Sequence, residues 1–336
     1  MQVVIGTREG AFVVGEGGAA RAADGLAGPG VHTLRRANGS VVAGTEDGVY
    51  CSDDAGRSWR ASGCAGQDVW SIAAAPPDGR VLYAGTHPAA LYRSEDGGRS
   101  WAALNTFGHV PGSDRWGLPG DPTGSRALAV VLDAAQPSRF WVGVEVGGIL
   151  ETEDDGASWR FMLAGRNPDI HGLVRDPARP EVFYATTGFG RLGDGDAPEA
   201  ESTAGVYRSE DGGRTWRYVW GDLERRYTRP ICVDARAPHA LTVAGAPTFR
   251  SCVGDPGGAQ AMVYQSTDGG TTWRSLGDAA HSPSAANLMA VAPAASRSGS
   301  VVVGTETGEV WHVSPEAEWT PLASGLPPVS ALLSVD

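Results

Sequence analysis

No apolar run in the 336-residue chain approaches the length of a membrane span, so no helical span is expected in it. Basic residues are scarce, with 27 Lys and Arg against 39 Asp and Glu and a net charge of −12. A phosphate backbone would meet an unfavourable field, which argues against a nucleic-acid partner. Cysteine is sparse as well. Cys51, Cys64, Cys232 and Cys252 show neither metal-ligand spacing nor a dense disulfide framework, a pattern that fits a reducing compartment. The segment MQVVIGTREGAFVV lacks the basic start, long apolar core and small-residue cleavage site of a secretory leader. The expectation is a cytoplasmic protein that works without nucleic acid or membrane.

The chain does contain 48 Gly, 22 Pro and 41% apolar residues, enough for a sizeable core with many turns. It also contains a repeat. SDDAGRSW from Ser52, SEDGGRSW from Ser94, TEDDGASW from Thr152, SEDGGRTW from Ser209 and STDGGTTW from Ser266 all fit Ser/Thr-x-Asp-x-Gly-x-Ser/Thr-Trp. Upstream of each octet lie three short apolar runs separated by turn residues, the second ending near Gly-Thr. VWSIAAA, VLYAGT and LYRS ahead of the second octet are an example. Runs this short predict strands, four to a unit.

Five units carry the octet, and a sixth carries a degenerate one from Ser314 to Trp319. The amino-terminal segment lacks a first strand and the carboxyl-terminal VSALLSVD is an orphan strand, so joining them completes a seventh unit. The prediction is an all-β, single-domain, seven-bladed β-propeller of four-stranded antiparallel blades, closed by pairing of its terminal strands. The blades are expected at 329–336 plus 1–27, 30–62, 68–104, 125–163, 168–220, 228–278 and 285–321.

The octet resembles the Asp-box, or bacterial neuraminidase repeat, of the sialidase-like propeller superfamily. That repeat is also found in other glycoside hydrolases, in sortilin-type receptor domains and in a photosystem II assembly factor. The resemblance implies the propeller fold and leaves the activity open, because a shared fold does not carry function. Five equivalent copies around a ring cannot converge on one reaction, so Asp54, Asp96, Asp154, Asp211 and Asp268 are expected to brace hairpins. Sialidases resemble one another in a first-blade Arg-Ile-Pro motif, an arginine triad, a Tyr/Glu pair and an Asp acid. Here the first blade offers only GTREG, and the nearest piece is TRPI at Thr228–Ile231 beside Tyr227. Sialidase activity is therefore not expected.

Specific chemistry should lie on the other face, where all three long insertions fall: 105–125, 188–205 and 247–261. Superposed repeats place two rings of side chains around that mouth. The entrance of the inner strand carries His32, Trp70, Leu128, His171, Arg229, Asn287 and Ser330, with Arg126 and Asp169 two residues before their ring members. The position just after the second strand carries Arg8, Glu46, His87, Glu145, Gly188, Pro247 and Glu306.

Three chemistries fit this set. His32, His87 and His171, with Glu46 or Glu145, have the donor types for a divalent metal ion. Glu145 with Glu46, Glu306 or Asp169 and His171 would suit acid/base work on a glycosidic bond. Arg8, Arg126 and Arg229, with Arg191 or Arg250, would clamp an anionic ligand. Trp70, Trp116 and Phe189 would offer flat apolar faces to a sugar. The leading expectation is a small polar or carbohydrate-like ligand in the mouth, with hydrolase or lyase activity glycosidase-like or metal-assisted. The alternative is a non-catalytic scaffold for a protein partner, which the acidic stretch 193–201 favours mildly.

Overall fold

The computed structural model describes residues 1–15, 17–117, 124–190 and 203–335. Among the described residues, twenty-eight strands form seven four-stranded antiparallel sheets, as the repeat predicts. Leu91–Ser94 pairs on one side with Leu82–His87 and on the other with Ala102–Ala103, and Asp68–Ala74 completes that blade. The other blades repeat this order. The inner strands contact one another around the ring, from Val31–Ala37 through Asp68–Ala74 to Leu288–Pro293 and Val329–Val335. Closure comes from Val329–Val335 pairing with Gln2–Thr7, from Gln2 opposite Val335 to Thr7 opposite Val329.

Apolar side chains on both faces of the strands fill the seams between blades, which is why second strands such as Phe140–Val144 and Phe183–Thr187 are buried throughout. Among the described residues no helix is long and apolar enough to cross a membrane.

The octets brace the hairpins between third and fourth strands. In the first copy Asp54 Oδ1 accepts the Ser52 hydroxyl at 2.8 Å and the Ser58 backbone N–H at 2.9 Å, while Oδ2 accepts the Ser58 hydroxyl at 2.6 Å. The Gly56 N–H returns to Ser52 Oγ at 2.8 Å. Asp96, Asp154, Asp211 and Asp268 repeat the pattern. The tryptophans tie blades together: Trp101 Nε1 donates to Ser62 O in the preceding blade, and Trp273 does the same to Val219 O.

These bonds favour the ionised carboxylates. The Ser58 hydroxyl, ahead of the Ser58 and Arg57 amides, holds Asp54 at about 2 against burial. Asp268 is likewise at about 2: burial pushes it up, but the Thr272 amide and hydroxyl outweigh that push. Depressed folded values contribute stability that is present above the unfolded value of about 4 and lost as pH falls through about 2. The melting temperature should therefore drop across that window. Asp54→Asn should flatten the drop and cost about 1 kcal/mol at neutral pH, since the site is largely solvated. Thermal melts from pH 7 to pH 2 check this, and an unchanged acid profile in the variant would count against the bracing role.

Candidate functional site

Register places the site. Six of the seven inner strands carry a one-residue irregularity just inside the mouth, where two pairings skip a residue: between Val31 and Thr33, Val69 and Ser71, Ala127 and Ala129, Ile170 and Gly172, Leu288 and Ala290, and opposite Gly6/Thr7 in the closing strand. The skipped residues are His32, Trp70, Leu128, His171, Met289 and Ser330. In the sixth blade the skip spans Thr228 to Ile231 and leaves out Arg229 and Pro230. A bulge re-aims its side chain, so the predicted inner ring is a ring of bulges. Asn287 does not belong to it. Its carbonyl accepts the Glu306 N–H, the same place that Gly30 holds toward Glu46, Arg126 toward Glu145 and Asp169 toward Gly188. Met289 is the bulge residue of that blade, two positions on.

The outer ring then separates by partner. Glu46 folds back onto the Gly30 N–H at 3.3 Å, and Glu306 onto the Asn287 N–H at 2.9 Å. Both are bound to their own blade's backbone. Glu145 instead reaches the Arg126 guanidinium, Nη1 to Oε2, at 2.7 Å and is 5% exposed. Arg8 is exposed on the first blade with its N–H on Pro328 O.

Two polar groups result. In the first, Asp68, which sequence superposition passed over because the slot was read at Trp70, gathers three neighbours. Oδ1 faces His32 Nε2 at 2.9 Å, and Oδ2 accepts Trp70 Nε1 at 2.9 Å and lies 3.4 Å from His87 Nδ1. Burial pushes the Asp68 carboxyl up, yet the His32 and Trp70 hydrogen bonds bring it below its ordinary value. His32 stacks on Trp70 with centroids 3.9 Å apart, and the Arg126 guanidinium lies 4.7 Å over the same indole. The ring of Trp70 is thus engaged within the protein.

The second group joins Glu145, Asp169 and His171, one ligand atom of each within 4.8 Å of the others. Asp169 is 5% exposed; Oδ2 accepts the Gly190 N–H at 2.7 Å, and Oδ1 lies 3.3 Å from His171 Nε2. Burial works against its charge, but His171, the Gly190 amide and Arg229 together hold the carboxyl below its ordinary range. His171 Nδ1 lies 2.7 Å from Thr228 O. The predicted metal trio is thus divided: His32 and His87 meet at Asp68, while His171 sits with the two carboxylates.

Beside the second group stands an aromatic wall. Tyr227 meets His171 edge-on at 4.9 Å, runs parallel to Phe189 at 6.3 Å and meets Phe249 edge-on at 5.8 Å, with Arg229 5.8 Å over its ring. Phe189 and Phe249 are 44% and 53% exposed, and both come from the insertions. Phe249 opens a single helical turn capped by Thr248. Burial pushes the Tyr227 phenol up to about 12, so it stays protonated. Trp116, by contrast, tilts against Phe107 and packs on the core of the fourth blade. Asn287 is buried beside Cys252. Arg191 and the acidic stretch 193–201 lie outside the described residues.

No protein-family model matches the chain. A xyloglucanase of Hypocrea jecorina is 26% identical over 226 residues, covering 58% of this chain and 24% of that protein. A crystal structure of a GH74 enzyme from Niastella koreensis superposes with a TM-score of 0.64 at 16% identity, over 95% of this chain and 46% of that one. The structure of YCF48 bound to a D1 peptide gives 0.56 at 12% identity, over 96% and 84%. The chain therefore spans less than half the length of the Hypocrea and Niastella proteins. At these identities the structural likenesses establish the fold.

Proposed function

We propose that this propeller binds a carbohydrate-like ligand across the mouth formed by the fourth, fifth and sixth blades. The observation that carries the reading is the pairing of a buried Glu145/Asp169/His171 group with the exposed rings of Phe189 and Phe249. Sugars present hydroxyl donors on their edges and apolar C–H faces. Anionic acceptors beside exposed aromatic rings match both. The likeness to a xyloglucanase supports a β-glucan oligosaccharide as the class to try first, and the octet geometry supports kinship with Asp-box propellers.

The site favours binding over two-carboxylate hydrolysis. Glycosidases need one carboxyl kept protonated as acid and another ionised. Here Glu145 is ion-paired to Arg126, and Asp169 is held ionised. The Tyr227 phenol, at about 12, is not an activated nucleophile, which agrees with the absence of the sialidase motif.

Calorimetric titration with xyloglucan oligosaccharides tests the reading. Binding is expected, with Phe249→Ala weakening it about tenfold through loss of one stacking face. No binding of any oligosaccharide on a glycan array, or full binding by the variant, would overturn it. A protein partner is the second reading, favoured by Phe249 and Val253, 53% and 61% exposed on the same loop. Under that reading the loop variants lose capture of the partner while no sugar binds.

A further inference from the structure

We infer that Glu145, Asp169 and His171 hold one divalent transition-metal ion. The three donors come from two adjacent blades and already lie within 4.8 Å of one another. A cluster of acids is common without an ion, but two further observations separate this one from the rest.

The first is an unsatisfied oxygen. Asp169 is 5% exposed, and its Oδ1 has no aligned hydrogen-bond donor although Oδ2 has the Gly190 amide. Leaving an anionic oxygen buried without a donor costs free energy that a cation would recover.

The second is the orientation of His171. Its Nδ1 lies 2.7 Å from the Thr228 carbonyl oxygen, which can only accept, so Nδ1 carries a hydrogen. The protonated ring is the form that lowers the Asp169 carboxyl; in the neutral ring that a metal would select, Nε2 is a bare lone pair, 3.3 Å from Asp169 Oδ1 and off the line of a hydrogen bond. Two electron-pair donors thus border one gap. An Nδ1–H fixed on a backbone carbonyl is also how metal-bound imidazoles are usually held.

One nitrogen and two carboxylate oxygens, with positions left for water, suit zinc or manganese; calcium wants six or more oxygens. Arg126 occupies Glu145 Oε2 and offsets one negative charge, so the set is not over-anionic for a single dication. A doubly protonated His171 paired with Asp169 is the competing arrangement, and it would need no ion.

The test titrates the tag-free, EDTA-treated full chain with zinc and then manganese chloride by calorimetry, without sugar, so the result is independent of the glycan reading. One equivalent is expected to bind, with affinity falling at least about tenfold in His171→Ala and Asp169→Asn and unchanged in Glu306→Gln, whose carboxylate is spent on its own blade. Cobalt(II) loaded into the wild-type protein gives a second readout that needs no variant. Ligand-field bands showing nitrogen coordination support the site, and the spectrum of aqueous cobalt overturns it. Absence of binding by folded wild-type protein, or full affinity in His171→Ala, likewise overturns it.

Discussion

A single methyl group at Gly188 is expected to weaken the proposed oligosaccharide binding at the mouth about a hundredfold while leaving the propeller folded. A Cβ there would lie 2.3 Å from Asp169 Oδ2 and 2.5 Å and 2.7 Å from two ring atoms of His171. Neither neighbour can retreat easily. Asp169 is tied by Oδ2 to the Gly190 amide and by its own amide to Asn167 Oδ1, and His171 is tied to Thr228 O. The backbone of Gly188 itself makes ordinary bonds, N–H to Asp169 O and C=O to Asn167 Nδ2, that an alanine would keep. The strain therefore falls on the polar group. Gly108→Ala is the control, since a Cβ there meets nothing within 4 Å. Oligosaccharide titration with parallel thermal melts reads the result, and wild-type affinity in Gly188→Ala would remove the Asp169/His171 pair from the binding site.

Gly188 also shows what the sequence made legible. Its slot after the second strand is filled by Glu or His in four other blades, and the glycine there makes room for the two side chains that enter from the inner strand. The propeller itself was readable because the octets recur and because the ends of the chain supply complementary partial blades. The bulges were not. A residue skipped in pairing turns a side chain without changing the apolar pattern around it, so superposing repeats on their Gly-Thr steps placed His32, Trp70 and His171 correctly and set Asn287 two residues early. Asp68 stands two residues before Trp70, as Arg126 and Asp169 stand before Leu128 and His171, and nothing in the apolar pattern marks it. Partner choice was also beyond the pattern: Glu46, Glu145 and Glu306 share one slot, yet only Glu145 faces a long cationic side chain, Arg126, at the opposing position, where Gly30 and Asn287 offer backbone N–H groups instead. The aromatic wall combines Tyr227, seen only as a neighbour of TRPI, with Phe249 from a loop whose path the sequence does not encode locally.

Removal of residues 329–336 is expected to prevent folding altogether. Val329–Val335 is the inner strand of the first blade, and it also touches the inner strands of both neighbouring blades. Its Val329, Ala331, Leu332 and Val335 are buried, and Ser330 Oγ lies within hydrogen-bond distance of Gly6 O in its own blade and of Val31 O across the seam. Burial of these side chains is worth on the order of 5–10 kcal/mol, comparable with the whole stability of a typical domain. Loss of the strand would also bare the apolar edge of Gln2–Thr7, an invitation to aggregate. Because Val335 sits opposite Gln2 in the register, moving the same residues ahead of Met1 through a hairpin-length linker should restore the blade from the other end of the chain. Circular dichroism and gel filtration are expected to show an unfolded or aggregated truncation and a monodisperse, β-rich rearranged chain. A truncation that melts cooperatively at the wild-type temperature would mean that the ring does not depend on this closure.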